Sequence, residues 1–194
     1  DKNNATTVFF GDEQISATND RTFAGASNWA NAASANAFNA YDETTSGVLT
    51  VTPDDDASNR QYATLDGANW EDADGDGPAM VVGRTYRLSY DLQITSFTKG
   101  QLNIGFCNDS FTLKHYHSHT AQGSYSSSTN QTLDIIYLGT SDHTKLIIDA
   151  AESSVFTAKF DNFSIKEVGT ATGWTDADQQ LHIPQTALQS YNEL

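Results

Sequence analysis

The 194-residue sequence is poor in several things at once: it has one cysteine, three prolines, one methionine and only ten lysines and arginines. The lone Cys107 excludes an intramolecular disulfide and any multi-cysteine metal site. Its neighbours offer nothing to activate a thiolate, so it reads as a free strand cysteine. No run of 18 apolar residues occurs, and no membrane insertion is expected. Against the ten cations stand 25 acidic residues, a formal charge of −15. That field repels a phosphate backbone, which argues against nucleic acid as a partner and equally against anionic lipid. A G-x-S-x-G nucleophile turn is missing, as are a phosphate-cradling glycine loop and a dinucleotide fingerprint. With so many acids, a pair of carboxylates placed for glycoside hydrolysis carries no information. The sequence reads as a binding protein and not as an enzyme.

What it has is short alternating runs between turns rich in Ser, Thr, Asn and Asp. These predict an all-β fold, a two-sheet antiparallel β-sandwich or jelly roll. The clearest strand is Thr85 to Thr95, where Tyr86, Leu88, Tyr90, Leu92 and Ile94 alternate with polar residues, one face for a core and one for water. Gln101 to Cys107 follows, with Lys99-Gly100 as the turn of a hairpin. Further strands are expected at Gly47–Thr52, Arg60–Leu65, Thr132–Leu138, Lys145–Ala150 and Val155–Val168, with Thr140 to His143 closing a second hairpin. Val8–Phe10 and Gln14–Ser16 suit short edge strands, and Ala24–Asn39 suits a helical turn or an ordered loop. Gly169 to Gly173 reads as a linker. We therefore expect a module over residues 1–168, and a linker or the start of a following domain over 169–194. An opening residue Asp1 instead of methionine suggests a piece of a longer polypeptide or a processed chain.

Four kinds of pattern could carry chemistry or binding. In the closing run Phe160 to Val168, simple alternation puts Asp161 on the face of Phe163 and Ile165. A carboxylate facing a core must be paired, hydrogen-bonded or metal-bound, so Asp161 is a candidate cation ligand. Asp72, Asp74 and Asp76 match the first half of a calcium loop, but the twelfth position is Gly83 where an EF-hand needs glutamate. Asp54, Asp55 and Asp56 are a less specific version. His115, His117 and His119 share one face of any strand they form, with a transition-metal site or a plain exposed strand as the alternatives. Trp29, Trp70, Tyr62, Tyr116 and Tyr125 lie outside the cleanest core phases. Each is either a packing residue or a flat platform for a ligand ring.

These runs together resemble a family. Gly11 to Ser16, then Thr22-Phe23 and Asn28-Trp29, look like the opening of jelly-roll carbohydrate-binding modules (galactose-binding-like β-sandwiches). Val82 to Tyr90 looks like their central strand, and Phe160 to Val168 like their closing I-D-N-V-S-V-K-E-V strand. Modules with that close occur in phage tail and other virion-associated proteins, beside a laminin-G-like domain, and Gly173 to Leu181 resembles the connector between the two.

The resemblance implies non-catalytic binding of a polysaccharide or cell-surface glycan, adjacent domains in a longer chain and an extracellular or virion-associated location. It also implies a structural Ca2+, held by Asp161 with Asp12 or Glu13, although Ala24 stands where the family has its glutamate. The expected cleft uses the outward face of the central strands, Arg87, Asp91, Gln93 and Asn103, with His117 beside it and Trp70 or Tyr116 as stacking platforms. The alternative is a structural or docking module of a virion protein that binds no sugar.

Overall fold

In a computed structural model, residues 10–69, 80–139 and 142–169 are described. The elements run β1 (Phe10–Glu13), α1 (Thr18–Thr22), β2 (Ala30–Asn31), β3 (Ala40–Asp42), β4 (Leu49–Thr52) and β5 (Gln61–Asp66). Then come β6 (Thr85–Lys99), β7 (Leu102–Cys107), β8 (Leu113–His119), β9 (Thr129–Ile136), β10 (Lys145–Ala150) and β11 (Val155–Val168). The first sheet has the order β3-β4-β11-β6-β9, with β1 also on β11; the second has the order β2-β5-β10-β7-β8. Every pairing is antiparallel. The expected two-sheet sandwich with jelly-roll topology is what the chain forms.

The core is the sum of the two inner faces. Leu88, Tyr90, Leu92 and Ile94 of β6 and Phe156, Ala158, Phe160, Phe163 and Ile165 of β11 meet Leu102, Ile104 and Phe106 of β7 and Leu146 and Ile148 of β10. Sheets that pack this way stand about 10 Å apart, filled by alternate residues of each strand. Trp29 belongs to this core, 4.9 Å from the Phe163 ring, with its indole N–H donating to the Asp20 carbonyl. It is a packing residue, not a platform. Cys107 is buried, and burial pushes its thiol up to about 12.

Two expected hairpins are corrected. β6 pairs with β9 and β11, while β7 pairs with β8 and β10. Lys99-Gly100 therefore carries the chain from one sheet to the other. Gly100 has φ +98, and a Cβ there would stand 2.4 Å from Ser154 Cα, so the crossing needs glycine. The connection from β9 to β10 likewise changes sheet. Alternation tells which residues of a strand face inward; it does not tell which sheet the strand joins.

The phase of Asp161 is also corrected. Pairing of β11 with β6 shifts register between Asp161 and Ser164, and Asn162 sits there at φ +53. This is a β-bulge, with asparagine taking the left-handed conformation it tolerates better than most residues. The extra residue lets Phe160 and Phe163 both face the core, so Asp161 joins Thr157 and Lys159 on the outer, half-buried side.

Candidate functional site

The outer face of the second sheet is built in rows across four strands. One row is Tyr62, Asp149, Asn103 and Ser118, from β5, β10, β7 and β8; the next is Thr64, Ile147, Gly105 and Tyr116. With neighbouring strands about 4.8 Å apart, each row spans roughly 14 Å. A chain of polar contacts follows the first row. Arg60 meets Asp149 through Nε at 2.9 Å and through a terminal guanidinium nitrogen at 2.6 Å. Asn103 Nδ2 donates to the other Asp149 oxygen at 2.8 Å, and Gln101 Nε2 donates to Asn103 Oδ1 at 2.9 Å and to Ser118 Oγ at 2.5 Å.

Asp149 is wholly inaccessible to solvent. Burial pushes its carboxyl above the usual range, while Asn103 and Arg60 pull it back down. A buried carboxylate held this way fixes the planes of the guanidinium and the amide.

Aromatic rings flank this network. Tyr62 lies against Phe111, with ring centroids 4.6 Å apart. Phe111 is carried by the 108–112 loop, where the Asn108 side chain accepts from the backbone N–H of Ser110 and Thr112. On the far strand Tyr116 is 42% exposed. Between them Gly105 keeps the floor low; a Cβ there would stand 2.1 Å from the His115 carbonyl oxygen. Flat apolar rings beside fixed amide, hydroxyl and guanidinium groups can hold a ring that is apolar on its faces and hydroxylated at its rim.

The expected single cleft does not form. Tyr116 and Asn103 share this face, but Arg87, Asp91 and Gln93 project from β6 on the outside of the other sheet. There they are engaged with one another's neighbours. Arg87 makes a two-pronged pair with Asp134 at 2.6 and 2.7 Å and lies 5.3 Å over the Phe10 ring. Asp91 accepts from the Asn130 and Asn162 amides, and Gln93 donates to the Ser126 carbonyl. Trp70 and the Asp72, Asp74 and Asp76 loop lie outside the described residues.

His117 points inward, with Nδ1 3.2 Å from the Tyr90 hydroxyl, because His115, His117 and His119 occupy the core-facing positions of the edge strand β8. The expected place of His117 beside the cleft is corrected. His119 packs its ring against Tyr125, and His115 Nδ1 lies 2.8 Å from Nε2 of the buried His143.

The residues expected to hold calcium are distributed as follows. Glu13 accepts from Ser164 Oγ at 2.6 Å and from the Ile165 and Ile15 N–H groups, which ties β1 to β11 past the bulge. Asp12 is exposed on β1. Asp161 accepts from its neighbour Asn162 N–H at 2.7 Å and stands directly opposite Asp91. Partial burial raises the Asp161 pKa and Asp91 adds to the rise. Among the described residues, no three His, Cys, Asp or Glu side chains form a cluster suited to a metal ion. A hard cation here would be held by Asp91 and Asp161, with the Asn130 and Asn162 amides, which donate to Asp91, rotated to present oxygens.

Sequence reasoning missed Arg60, Gln101, Phe111, Ser118 and Asp149 as members of the face, and it left Tyr62 among several undecided aromatics. Asp149 did carry a signal: it is the one acid inside Leu146-Ile147-Ile148-Asp149-Ala150, a run buried almost throughout. Phe111 carried none, since only the folded loop brings it to Tyr62.

No family model matches the chain, and no curated protein matches it. Solved structures do. An arabinose-bound GH51 α-L-arabinofuranosidase superposes with a TM-score of 0.53 at 17% identity, covering 81% of this chain and 27% of that one. This chain thus spans about a quarter of that enzyme. A variant of the family 29 carbohydrate-binding module CBM29-2 gives a TM-score of 0.51 at 11% identity, covering 87% of this chain and 97% of that one. A second family 29 module gives 0.50 at 11% identity, with 90% and 99% covered. What these modules share with this chain, over almost their whole length, is the fold: a two-sheet jelly-roll β-sandwich.

Proposed function

We propose that this protein is a non-catalytic carbohydrate-binding module that holds a neutral polysaccharide or cell-surface glycan on the outer face of its second sheet. The observation that carries the reading is the pairing of Tyr62–Phe111 and exposed Tyr116 with the ordered row Arg60, Asp149, Asn103, Gln101 and Ser118. Sugar rings stack on the aromatics, and Ser118, Gln101 and the Arg60 guanidinium read hydroxyl positions, held from beneath by buried Asn103 and Asp149. Because the polar row is fixed before the ligand arrives, binding loses little side-chain entropy there. The module neighbours in the solved structures support this reading through the fold. Affinity gel electrophoresis on a panel of neutral polysaccharides tests it: retardation on at least one is expected, and a folded protein retarded by none would overturn it.

A structural calcium goes with this reading, with Asp161 as ligand beside Asp91. Its support is the direct opposition of two carboxylates, both of them half-buried. When bound, the ion would relieve their repulsion. The setting in an extracellular or virion-associated chain with adjacent domains rests on the closing-strand resemblance, and peptide mapping of the native polypeptide tests it.

A further inference from the structure

The outer face of the first sheet has its own order. Three rows cross β11, β6 and β9: Lys166, Arg87 and Asp134; then Ser164, Ser89 and Thr132; then Asp161, Asp91 and Asn130. The middle row is short hydroxyl side chains between two rows of longer ones. The consequence is a depression of about 290 Å³, floored by the hydroxyls and walled by Phe10, Arg87 and Lys166. That volume is near the lower end of the range for small-molecule sites, about 300 Å³.

Two observations give the depression a chemistry. Lys166 and Arg87 are directly opposite across β11 and β6, an arrangement of like charges that costs stability in a sheet. Asp134 neutralises Arg87 at 2.6 Å. Glu13, the cross-strand partner of Lys166 on β1, directs its carboxylate to Ser164 and Ile165 instead. Among the described residues Lys166 makes no ion pair, in a chain with a formal charge of −15. The second observation is Phe10, 48% exposed and pinned by the Arg87 guanidinium 5.3 Å from its centroid. It is an aromatic plane at the rim of a pocket floored by hydroxyls.

We infer that this depression is a second glycan site, separate from the second-sheet face, and that it takes an acidic sugar of the uronate class. The sugar face lies on Phe10, its carboxylate meets Lys166, and its ring hydroxyls meet Ser89, Thr132 and the Asn130 amide. Asp134 is neutralised by Arg87, and Glu13, though still charged, turns its carboxylate to Ser164 Oγ and the Ile165 N–H. A neutral sugar leaves Lys166 unanswered, and a polyglutamate chain has no hydroxylated ring to span Phe10 and the middle row.

The test is calorimetric titration with trigalacturonate at low salt, on the whole protein. Binding is expected, falling at least tenfold in Lys166→Gln and in Phe10→Ala, and unchanged in Tyr116→Ala. Thermal melting of each variant checks that it is folded. Binding lost in Tyr116→Ala but kept in Lys166→Gln would overturn the inference and assign the uronate to the second-sheet face. No binding, or equal binding of poly-L-glutamate, would overturn it as well. None of these outcomes depends on whether neutral polysaccharides bind.

Discussion

The two outer faces of the sandwich use similar residues to opposite ends. On the second sheet, an arginine–aspartate pair is sunk into the surface: the Asp149 side chain is inaccessible and hydrogen-bonded to Asn103 on its far side. On the first sheet the Arg87–Asp134 pair lies in solvent, with Asp134 44% exposed. The first arrangement orders a surface between aromatic rings. The second neutralises charge at the rim of a hydroxyl-floored depression. The difference lies in burial, because a charge pair removed from water must be held rigidly and one left in water need not be.

The largest effect should come from breaking the buried pair. Arg60→Ala leaves Asp149 buried without its counter-charge and should cost about 3–5 kcal/mol in denaturant unfolding. Arg87→Ala should cost no more than about 1 kcal/mol. Similar losses in the two would remove the distinction between the faces.

Acid should act next, at the seam where the edge strands of the two sheets meet. Burial holds the His119 and His143 imidazoles down to about 4, helped by the neighbouring His117 and His115 respectively. In the unfolded chain they ionise near 6.5. Their contribution is therefore complete above that pH and is lost as pH falls towards 4, because the unfolded state binds more protons across that interval. Urea unfolding at a series of pH values should show stability falling by a few kcal/mol between pH 6.5 and 4. A His143→Phe variant should show a shallower slope.

Calcium distinguishes the first sheet again. At a hundredfold excess over its dissociation constant the ion should add about 2.7 kcal/mol of stability. Chelation should lower the melting temperature, and Asp161→Ala should abolish the calcium response. An unchanged melting curve in both would leave Asp161 as a hydrogen-bonded surface carboxylate. A smaller effect is expected from the platform rings: Tyr62→Ala should weaken neutral-glycan binding about tenfold, near 1.4 kcal/mol, with the fold retained.

Much of the sandwich was legible in the alternation. Lys145–Ala150 and Val155–Val168 are strands at the expected residues, and β6 begins at Thr85 as read and runs on to Lys99. The sheet partners were not legible, because Lys99-Gly100 has the composition of a hairpin turn and serves as a crossing between sheets. That one ambiguity sent Arg87, Asp91 and Gln93 to the same cleft as Asn103. The bulge at Asn162 was half legible: Phe160 and Phe163 cannot share a face of a regular strand, yet both are large and apolar. For the candidate site, Tyr116 and Asn103 could be found from strand phase. Arg60 shares the alternation phase of Tyr62, but its partner Asp149 lies on another strand and is not given by phase; Phe111 could not be found, since it reaches the face from a loop.

The most direct test of the central claim compares one substitution on each outer face by affinity electrophoresis on the neutral polysaccharide that retards the native protein best. Tyr116→Ala should run free of retardation while Gln93→Ala is retarded as strongly as the native protein. Retention that survives Tyr116→Ala and fails in Gln93→Ala would contradict the account.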